Sequence, residues 1–574
     1  MRVFDIFEDE IDSYLNDSVE ISSGYWYNQA KLIKRIYLYA NCIYPNGKLD
    51  SQGRYRYFFD IASPRIDSEV KNVDFDTKNV VLATDSNKDY KPLFIANNFL
   101  RDYMRESGQS TKIDEIVEEG SGWGNVVLKK IKGGYERVDL KNFYVINQTA
   151  ESLDESPVIE RHILTQSNLR AKQGIWNNVE KVIKECGNKE FSVTAKSNKE
   201  DKTTPYYEIY ERNGEISQQD LYEAQDKKGG DKDTYVLAKI ICAGLAKNSK
   251  DAKYILFAEE LKDDMSSVYK EYHRGRYNGR WWRVGIHEML FDITTRSNEI
   301  GNQIARGLEW ASKTIFRSAD KLLTSNVLTD LNNGDIIKST DISQVEIRMQ
   351  GLDQLMADWN RLMTLADKLC NSYEVVLGEN MPSGTSMGLG NMLNQNANKL
   401  FDFIRKKLSQ ILQDALQDWV LPDILKKIKV AKYVKITGDS NLGEYHKMLV
   451  DGWYLKNLIA FGPHTEDVAN LLKEKKLKEL SDIEFIKIEK DFWEDFEPRV
   501  VVVISGENVN KTKELTDLST FIQLESDPVR RSALVEMAMA KQGIDISSLP
   551  KTEQPPIQPS MPTKGQPITN QLTQ

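Results

Sequence analysis

The order of apolar and polar positions divides the chain into an α+β first half, a helical middle and a return of short elements. In the first 120 residues aromatics crowd positions 25–39 and 54–59, and a helical period runs over about 93–117. After Gly120-Ser-Gly-Trp-Gly124, positions 125–132 alternate apolar and charged. Gly133-Gly134 then supplies a turn and 135–146 returns, which predicts a hairpin. Further strands are predicted at 206–212, 235–242 and 254–260. The lysine-rich stretches 188–204 and 226–233 read as exposed loops.

The middle changes period. Over 286–315 apolar residues fall at 286, 290, 293, 300, 304, 308, 311 and 315, which predicts one helix of about 30 residues, or about 45 Å. A β-like stretch with turn chemistry follows at 322–348, containing Asn332-Asn333-Gly334-Asp335. A second helix carries Leu352, Leu355, Met356, Trp359, Leu362, Met363, Ala366, Leu369 and Tyr373. Positions 378–390 are rich in helix breakers, with Pro382 and Gly378, Gly384, Gly388 and Gly390. A third helix is predicted over 391–420, with Leu393, Leu400, Ile404, Leu408, Ile411, Leu412 and Leu416 on one face. Globular helices average about 11–12 residues, so long helices around a small β insert suggest a stalk with a tip.

After Pro422 short elements are expected again: strands at 430–437 and 497–505, a charge-rich helical interval at 441–490, and a helix pair at 511–526 and 528–542. Residues 551–574 hold five prolines (555, 556, 559, 562, 567) and read as a disordered tail.

Composition narrows the classes. A chain of 574 residues should hold about three to five globular units. Tyr 25, Phe 19 and Trp 10 supply enough large side chains to exclude disorder of the whole. The longest strongly apolar run, 500–504, is far short of the roughly 20 residues of a membrane span. The acidic N-terminus lacks the layout of a secretion signal. The net charge of −9 disfavours a protein that grips DNA in a positive groove. Cys42, Cys186, Cys242 and Cys370 lie far apart, which suits a reducing compartment and argues against a thiolate zinc site.

Candidate chemistry is sparse. His287-Glu288 begins like a zinc-protease helix, but Phe291 stands where the second histidine belongs. The glycine-rich 384–390 lacks the Gly-Lys-Ser/Thr of a phosphate cradle. Asp482, Glu484 and Glu489 with Lys487 and Lys490 lack the Glu-x-Lys spacing of a magnesium nuclease and read as a solvated face. The densest feature is 272–283, where Arg274, Arg276, Arg280 and Arg283 interleave with Tyr272, Tyr277, Trp281 and Trp282. Arginine with aromatics can grip nucleic acid or seal an interface. Its place before the first long helix of an acidic chain favours a domain junction at Arg276, Arg280, Trp281, Trp282 and Arg283.

In this order of parts the chain resembles the portal proteins of tailed bacteriophages, the head-to-tail connectors. The resemblance is carried by Ser156-Pro-Val-Ile-Glu-Arg-His162 after the hairpin and by Gly279-Arg-Trp-Trp-Arg-Val-Gly-Ile-His-Glu288 leading into the first long helix. Pro382-Ser-Gly-Thr-Ser386 before Asn391-Met-Leu-Asn-Gln-Asn-Ala-Asn-Lys-Leu-Phe-Asp-Phe-Ile-Arg405 completes it. It covers most of 25–545, through element order more than dense motifs, and none of these strings is a catalytic signature.

The resemblance implies an α+β, portal-like multi-domain protomer in a ring-shaped homo-oligomer of about twelve subunits. Its parts would be wing (1–285), stem helix (286–318), clip (319–348), returning stem helix (349–375), channel loop (376–390), long channel-side helix (391–425), wing return (426–505), helical crown (506–550) and tail (551–574). The crown helices are short for a long crown barrel.

Such a ring sits at one capsid vertex of the virion and assembles in the host cytoplasm. Double-stranded DNA is packaged and ejected through it. The terminase large subunit, the major capsid protein or scaffold, and head-completion, adaptor and tail proteins dock on it. No enzyme activity, cofactor, metal or membrane is implied. A negative lining would let duplex slide, and ring symmetry repeats each charge. The implied channel loop residues are Glu379, Asn380, Met381, Ser383, Thr385, Ser386 and Met387. The acidic clip residues are Asp330, Asp335, Asp341 and Glu346. Lys399, Arg405, Lys406 and Lys407 on the channel-side helix are compensating charges, intersubunit partners or a solvated face. The competing readings are a nucleic-acid enzyme (metal nuclease or packaging ATPase) and a scaffold or adaptor without a channel.

Overall fold

Strands and helices alternate through the first 273 residues of the computed structural model. The structure describes residues 2–84, 90–187, 206–245, 252–311, 315–318, 342–345, 351–371, 387–430, 433–435, 466–480, 485–487 and 496–502, with the single positions 446, 450, 453 and 493. It is a mixed α+β protein with antiparallel sheets. Among the described residues no helix is long and apolar enough to cross a membrane.

Helix α1 (Arg2–Asn16) is followed by a small hairpin, β1 (Val19–Ser22) and β2 (Tyr25–Tyr27), and by α2 (Gln29–Ala40). Asn28 caps α2 by accepting a hydrogen bond from the Lys31 amide at 2.8 Å. Next come α3 (Ser63–Val73), β3 (Val80–Ala83), α4 (Tyr90–Glu106) and α5 (Gln109–Trp123). The single helical period expected over 93–117 is thus two helices. Gly108, at φ +62°, takes the left-handed conformation that ends one and starts the other. The glycines at 120 and 122 form the last turn of α5, which stops at Gly124 (φ +83°).

Strands β4 (Asn125–Ile131) and β5 (Gly134–Arg137) make the predicted hairpin. Its return does not run on to 146. Asp139 accepts from the Lys141 amide and caps a short turn, after which β6 (Phe143–Val145) joins another sheet. That sheet continues with β7 (Val158–Thr165), helices α6 (Gln166–Ala171) and α7 (Val179–Glu185), β8 (Tyr206–Ser217), α8 (Gln218–Ala224), β9 (Tyr235–Ala243) and β10 (Tyr254–Glu260). It is antiparallel, in the order β10-β9-β8-β7-β6. Period-two alternation splits its side chains between two cores. Tyr210, Ile240 and Cys242 face α1 and α8, and Ile209, Ile241 and Ala243 face α6 and α7. The stretch 226–233 is an exposed loop, as expected; 188–204 lies outside the described residues.

Strand β11 (Tyr269–His273) pairs with β4, giving a three-stranded sheet β11-β4-β5. Val126 and Leu128 face the largest core, and Val127 faces the core shared with β6 and β7. The helical middle then begins with a break. Helix α9 (Ile286–Met289) ends at Leu290, and α10 (Phe291–Ala311) follows. Ile315 is not helical but opens β12 (Ile315–Ser318), which pairs with β13 (Ile342–Val345), so the helix expected to reach 315 stops at 311. Helix α11 (Leu352–Cys370) matches the second predicted helix.

The third long helix, α12 (Met387–Ala415), begins inside the segment expected to be loop, with Met387, Gly388, Leu389 and Gly390 in its first turn. Beyond Ala415 the helical path continues past the expected end at 420. A turn of π-helix at Leu416–Val420 precedes α13 (Leu421–Val430), so Pro422, which lacks an N–H, sits in a new first turn. Strand β14 (Tyr433–Lys435), helix α14 (Glu466–Leu480), β15 (Phe485–Lys487) and β16 (Arg499–Val502) follow. Lys487 therefore lies on a strand paired with β14, inside an interval expected to be helical. Strand β16 pairs with β3, Val500 opposite Leu82, and so ties the end of the described chain to its beginning.

The face of α12 that carries Phe401, Ile404, Leu408, Ile411 and Leu412 is buried in the largest core, against α3, α5, β11 and β16. Each such side chain contributes roughly 1.5–3 kcal/mol. The expected clip acids Asp330, Asp335, Asp341 and Glu346, the loop residues Glu379, Asn380, Met381, Ser383, Thr385 and Ser386, the crown and the tail lie outside the described residues. So do Asp482, Glu484 and Glu489.

Candidate functional site

The arginine and tryptophan segment of the sequence folds inward. Trp281 is 2% exposed: its indole N–H donates to Glu271 Oε2 at 2.7 Å and its ring tilts onto Phe143. Trp282 is also buried, edge-on to Trp123. Arg280 pairs with Glu288 at 2.7 Å and lies over the Tyr27 ring. Arg283 donates its amide to Asn125 Oδ1 at 3.0 Å and stacks on Tyr277. Arg274 pairs at 2.8 Å with Glu69, which is wholly buried. Arg276 alone among these arginines is exposed. Most of the groups that would stack on bases are spent inside the chain, joining β2, α3, β4 and β11 to the start of the long helices. His287, on the short α9, is held neutral because burial pushes its imidazole down to about 4.

The long helices α10 and α11 run antiparallel. Gly301 of α10 lies against Trp359 and Phe59, so close that a Cβ there would come 2.5 Å from either ring. Ile293 packs with Met363 and Ala366 at the base. Arg65 of α3 fixes that base, pairing with Asp367 at 2.5 Å and donating to the Met363 carbonyl at 3.3 Å. Asn298 and Asn302, one turn apart on α10, clasp the extended chain 57–59. The connection between the two helices starts and ends in the β12–β13 pair. On the surface of the pair, Leu308 is 53% exposed, Met356 50%, Leu365 43% and Leu369 41%; Phe403 on α12 is 53% exposed.

The basic residues of α12 have different neighbours. Arg405 donates to the Val73 carbonyl at 3.1 Å and to the Asn72 carbonyl, and pairs with Asp402, so it locks α12 to the end of α3. Lys407 donates to the Gly275 carbonyl at 3.2 Å and lies over Phe403. Lys399 and Lys406 are exposed. Met387 opens the helix.

Sequence reasoning missed the strongest electrostatic feature, an ionic cluster between the two larger sheets. The Lys129 ammonium lies 2.5 Å from Glu160 and 2.8 Å from Glu211, and Lys239 lies 2.8 Å from Glu211. His162 is 3.4 Å from Glu211, and Asn213 donates to Glu211 and to the Tyr269 hydroxyl. Glu160, His162 and Glu211 have the spacing of metal ligands. The ammonium of Lys129 already fills the place between the two carboxylates, so the cluster is an ion-pair lock. Burial would push Glu211 up, but the His162 hydrogen bond and the charges of Lys129 and Lys239 hold it well below the usual carboxylate range. A usable signal was Lys129 itself, which shares a strand face with the buried Val127.

No protein-family profile and no curated protein matches this chain.

Proposed function

We propose that this chain is the protomer of a portal-type ring, through which double-stranded DNA passes at a capsid vertex. The observation that carries the reading is the antiparallel pair α10–α11. It rises from a base tied to the α+β body, bears a β pair between its helices, and is followed by a longer helix that plunges back into the main core. This order supports the parts expected of a portal-type protomer: stem, clip, stem, channel-side helix, wing. The exposed Leu365 and Leu369, one turn apart on α11, support lateral contact with a neighbouring copy, because apolar side chains at helical spacing gain by leaving water. A heterologous contact of that kind closes into a ring when the rotation permits.

In this function the protein performs no catalysis. DNA is its cargo, the terminase large subunit supplies the motor at the clip, and adaptor and tail proteins replace the motor once the head is full. The net charge of −9 supports passage of duplex without retention. Negative-stain images of the purified full chain test the proposal: rings with a central hole are expected. A monomer by light scattering at micromolar concentration across several salt conditions would overturn it.

A further inference from the structure

Between α2, α3, α5 and β5 the surface opens into two adjoining hollows that share Ala40, Glu119, Trp123, Arg137 and His287. Their wall is aromatic. Tyr37 stacks at 6.4 Å on Trp123, which meets the edge of Trp282 at 6.3 Å and lies 5.0 Å from the His287 ring. Their charge is acidic: Asp67, Glu115, Glu118, Glu119 and Asp139 line them against Arg137 and Lys141. Arg137 binds one oxygen of Glu119, Oε1 at 2.7 Å, while Oε2 is shielded from water and has no hydrogen-bond partner among the described residues. The Glu119 side chain is 8% exposed. A buried carboxylate oxygen without a donor costs free energy until a ligand supplies one.

We propose that this cleft binds an alkyl-guanidinium or alkyl-ammonium group, with Glu119 as its counter-ion and the Tyr37–Trp123 wall as its stacking surface. A planar or compact cation gains from an aromatic face and from a carboxylate acceptor together. Lys141 already shows the first half, its ammonium 4.4 Å above the Tyr37 ring. The cation is either the basic side chain of another protein chain or a free polyamine, and the site stands independently of the ring proposal.

Burial pushes the Glu119 carboxyl up to about 7, against the opposing pull of Arg137. The charged groups facing the same hollows are Arg137 on β5, Glu115 and Glu118 on α5, Asp67 on α3, and Asp139 and Lys141 in the turn after β5. His287 is neutral above about 4. Cation affinity should therefore rise about tenfold between pH 6 and pH 8 as Glu119 ionises.

The test is isothermal titration calorimetry of the full chain with agmatine and with neutral N-butylurea. The same titrations are run on Glu119→Gln, with mass photometry alongside. Saturable agmatine binding, stronger at pH 8, absent for butylurea and lost in Glu119→Gln, is expected. If agmatine also lowers the assembled fraction, or Glu119→Gln assembles more weakly, the natural cation is a side chain of a neighbouring copy. If assembly is unchanged while agmatine binds, it is a free polyamine. Equal binding of both probes, no change between pH 6 and pH 8 in the unmodified protein, or neither agmatine binding nor an assembly defect in Glu119→Gln overturns the proposal.

Discussion

Asn298 and Asn302 act as a two-rung clasp. The Asn298 amide accepts from the Phe59 N–H at 2.8 Å and donates to the Phe59 carbonyl at 3.0 Å. Asn302 treats Tyr57 the same way, at 2.9 Å in both directions. Both asparagines are buried, and the Tyr44 hydroxyl donates to Asn298 at 3.0 Å. An extended segment that no sheet pairs thus gets its backbone hydrogen bonds from a helix.

Replacing Asn298 with alanine orphans one N–H and one carbonyl, and should lower stability by about 2–4 kcal/mol. Asn298→Asp keeps an acceptor for Phe59 but cannot donate and adds a buried charge, so it should do no better. Urea denaturation monitored by circular dichroism measures both. A loss below about 0.5 kcal/mol in both variants would show that water replaces the clasp.

The ionic cluster predicts a pH signature. Glu211 is held low, so its stabilisation is present above the ordinary carboxylate range and lost as pH falls through it. Lys129 is held high, because the charges of Glu211 and Glu160 outweigh burial, so its stabilisation is present below the ordinary lysine range and lost as pH rises through the raised value. Lys129→Met strands two buried carboxylates and should cost about 3–5 kcal/mol at pH 7. The variant should regain part of that loss near pH 4–5, where the carboxylates protonate. Denaturation midpoints at pH 4.5, 7 and 9 decide it, and a loss equal at all three would refute the account.

Glu119 gives the opposite sign. Its folded value of about 7 lies above the usual carboxylate value, so the folded state binds the proton more tightly and stability falls as pH rises from about 4.5 through 7. The contribution is about 3 kcal/mol between those limits. Other raised carboxyls, such as Glu69 and Glu288, add to the slope of the whole protein. The difference between the unmodified protein and Glu119→Gln isolates the one group. That difference should favour the variant progressively from pH 5 to pH 8, read by urea unfolding. A constant difference would mean that Glu119 does not titrate in this range.

Sequence pattern located the elements better than their ends or partners. The strands predicted at 206–212, 235–242 and 254–260 were legible because burial on alternate faces writes itself as period two, although the first runs five residues further, to Ser217. The helix at 352–370 was legible for the corresponding reason at period 3.6. What failed was punctuation. Gly108 splits a continuous apolar stripe, Asp139 diverts one return strand into a second sheet, and a π turn carries a helix past Pro422. Each is a local backbone event that apolar spacing does not record. Side-chain clusters failed for another reason. Lys129, Glu160, Glu211 and Lys239 come from four strands, and Asn298 meets Phe59 across 239 positions, so no spacing links them. The arginine and tryptophan segment was conspicuous in composition, and its burial depends on Glu69, Glu271 and Glu288.

The last prediction concerns the outer face of the helix pair. Leu365 and Leu369 lie one turn apart on α11 and are 43% and 41% exposed, whereas Ala366 and Cys370, one position on, are buried at the base. Neither leucine supports the described core, so replacing both with serine should leave the urea midpoint of the unassembled chain within about 0.5 kcal/mol. If a neighbouring copy covers their remaining exposed surface, each lost leucine removes roughly 0.6–1.3 kcal/mol per contact. Because the two are already more than half buried, the two losses together remove roughly 1.3–2.5 kcal/mol and weaken each contact about ten- to sixtyfold, since each 1.4 kcal/mol is a factor of ten. In a closed ring the deficit recurs at every interface. Mass photometry at a concentration where the unmodified chain is assembled should therefore show Leu365→Ser/Leu369→Ser as monomers or open fragments. Intact rings from the double variant would move the intersubunit contact away from this face and leave the two leucines as ordinary exposed apolar residues.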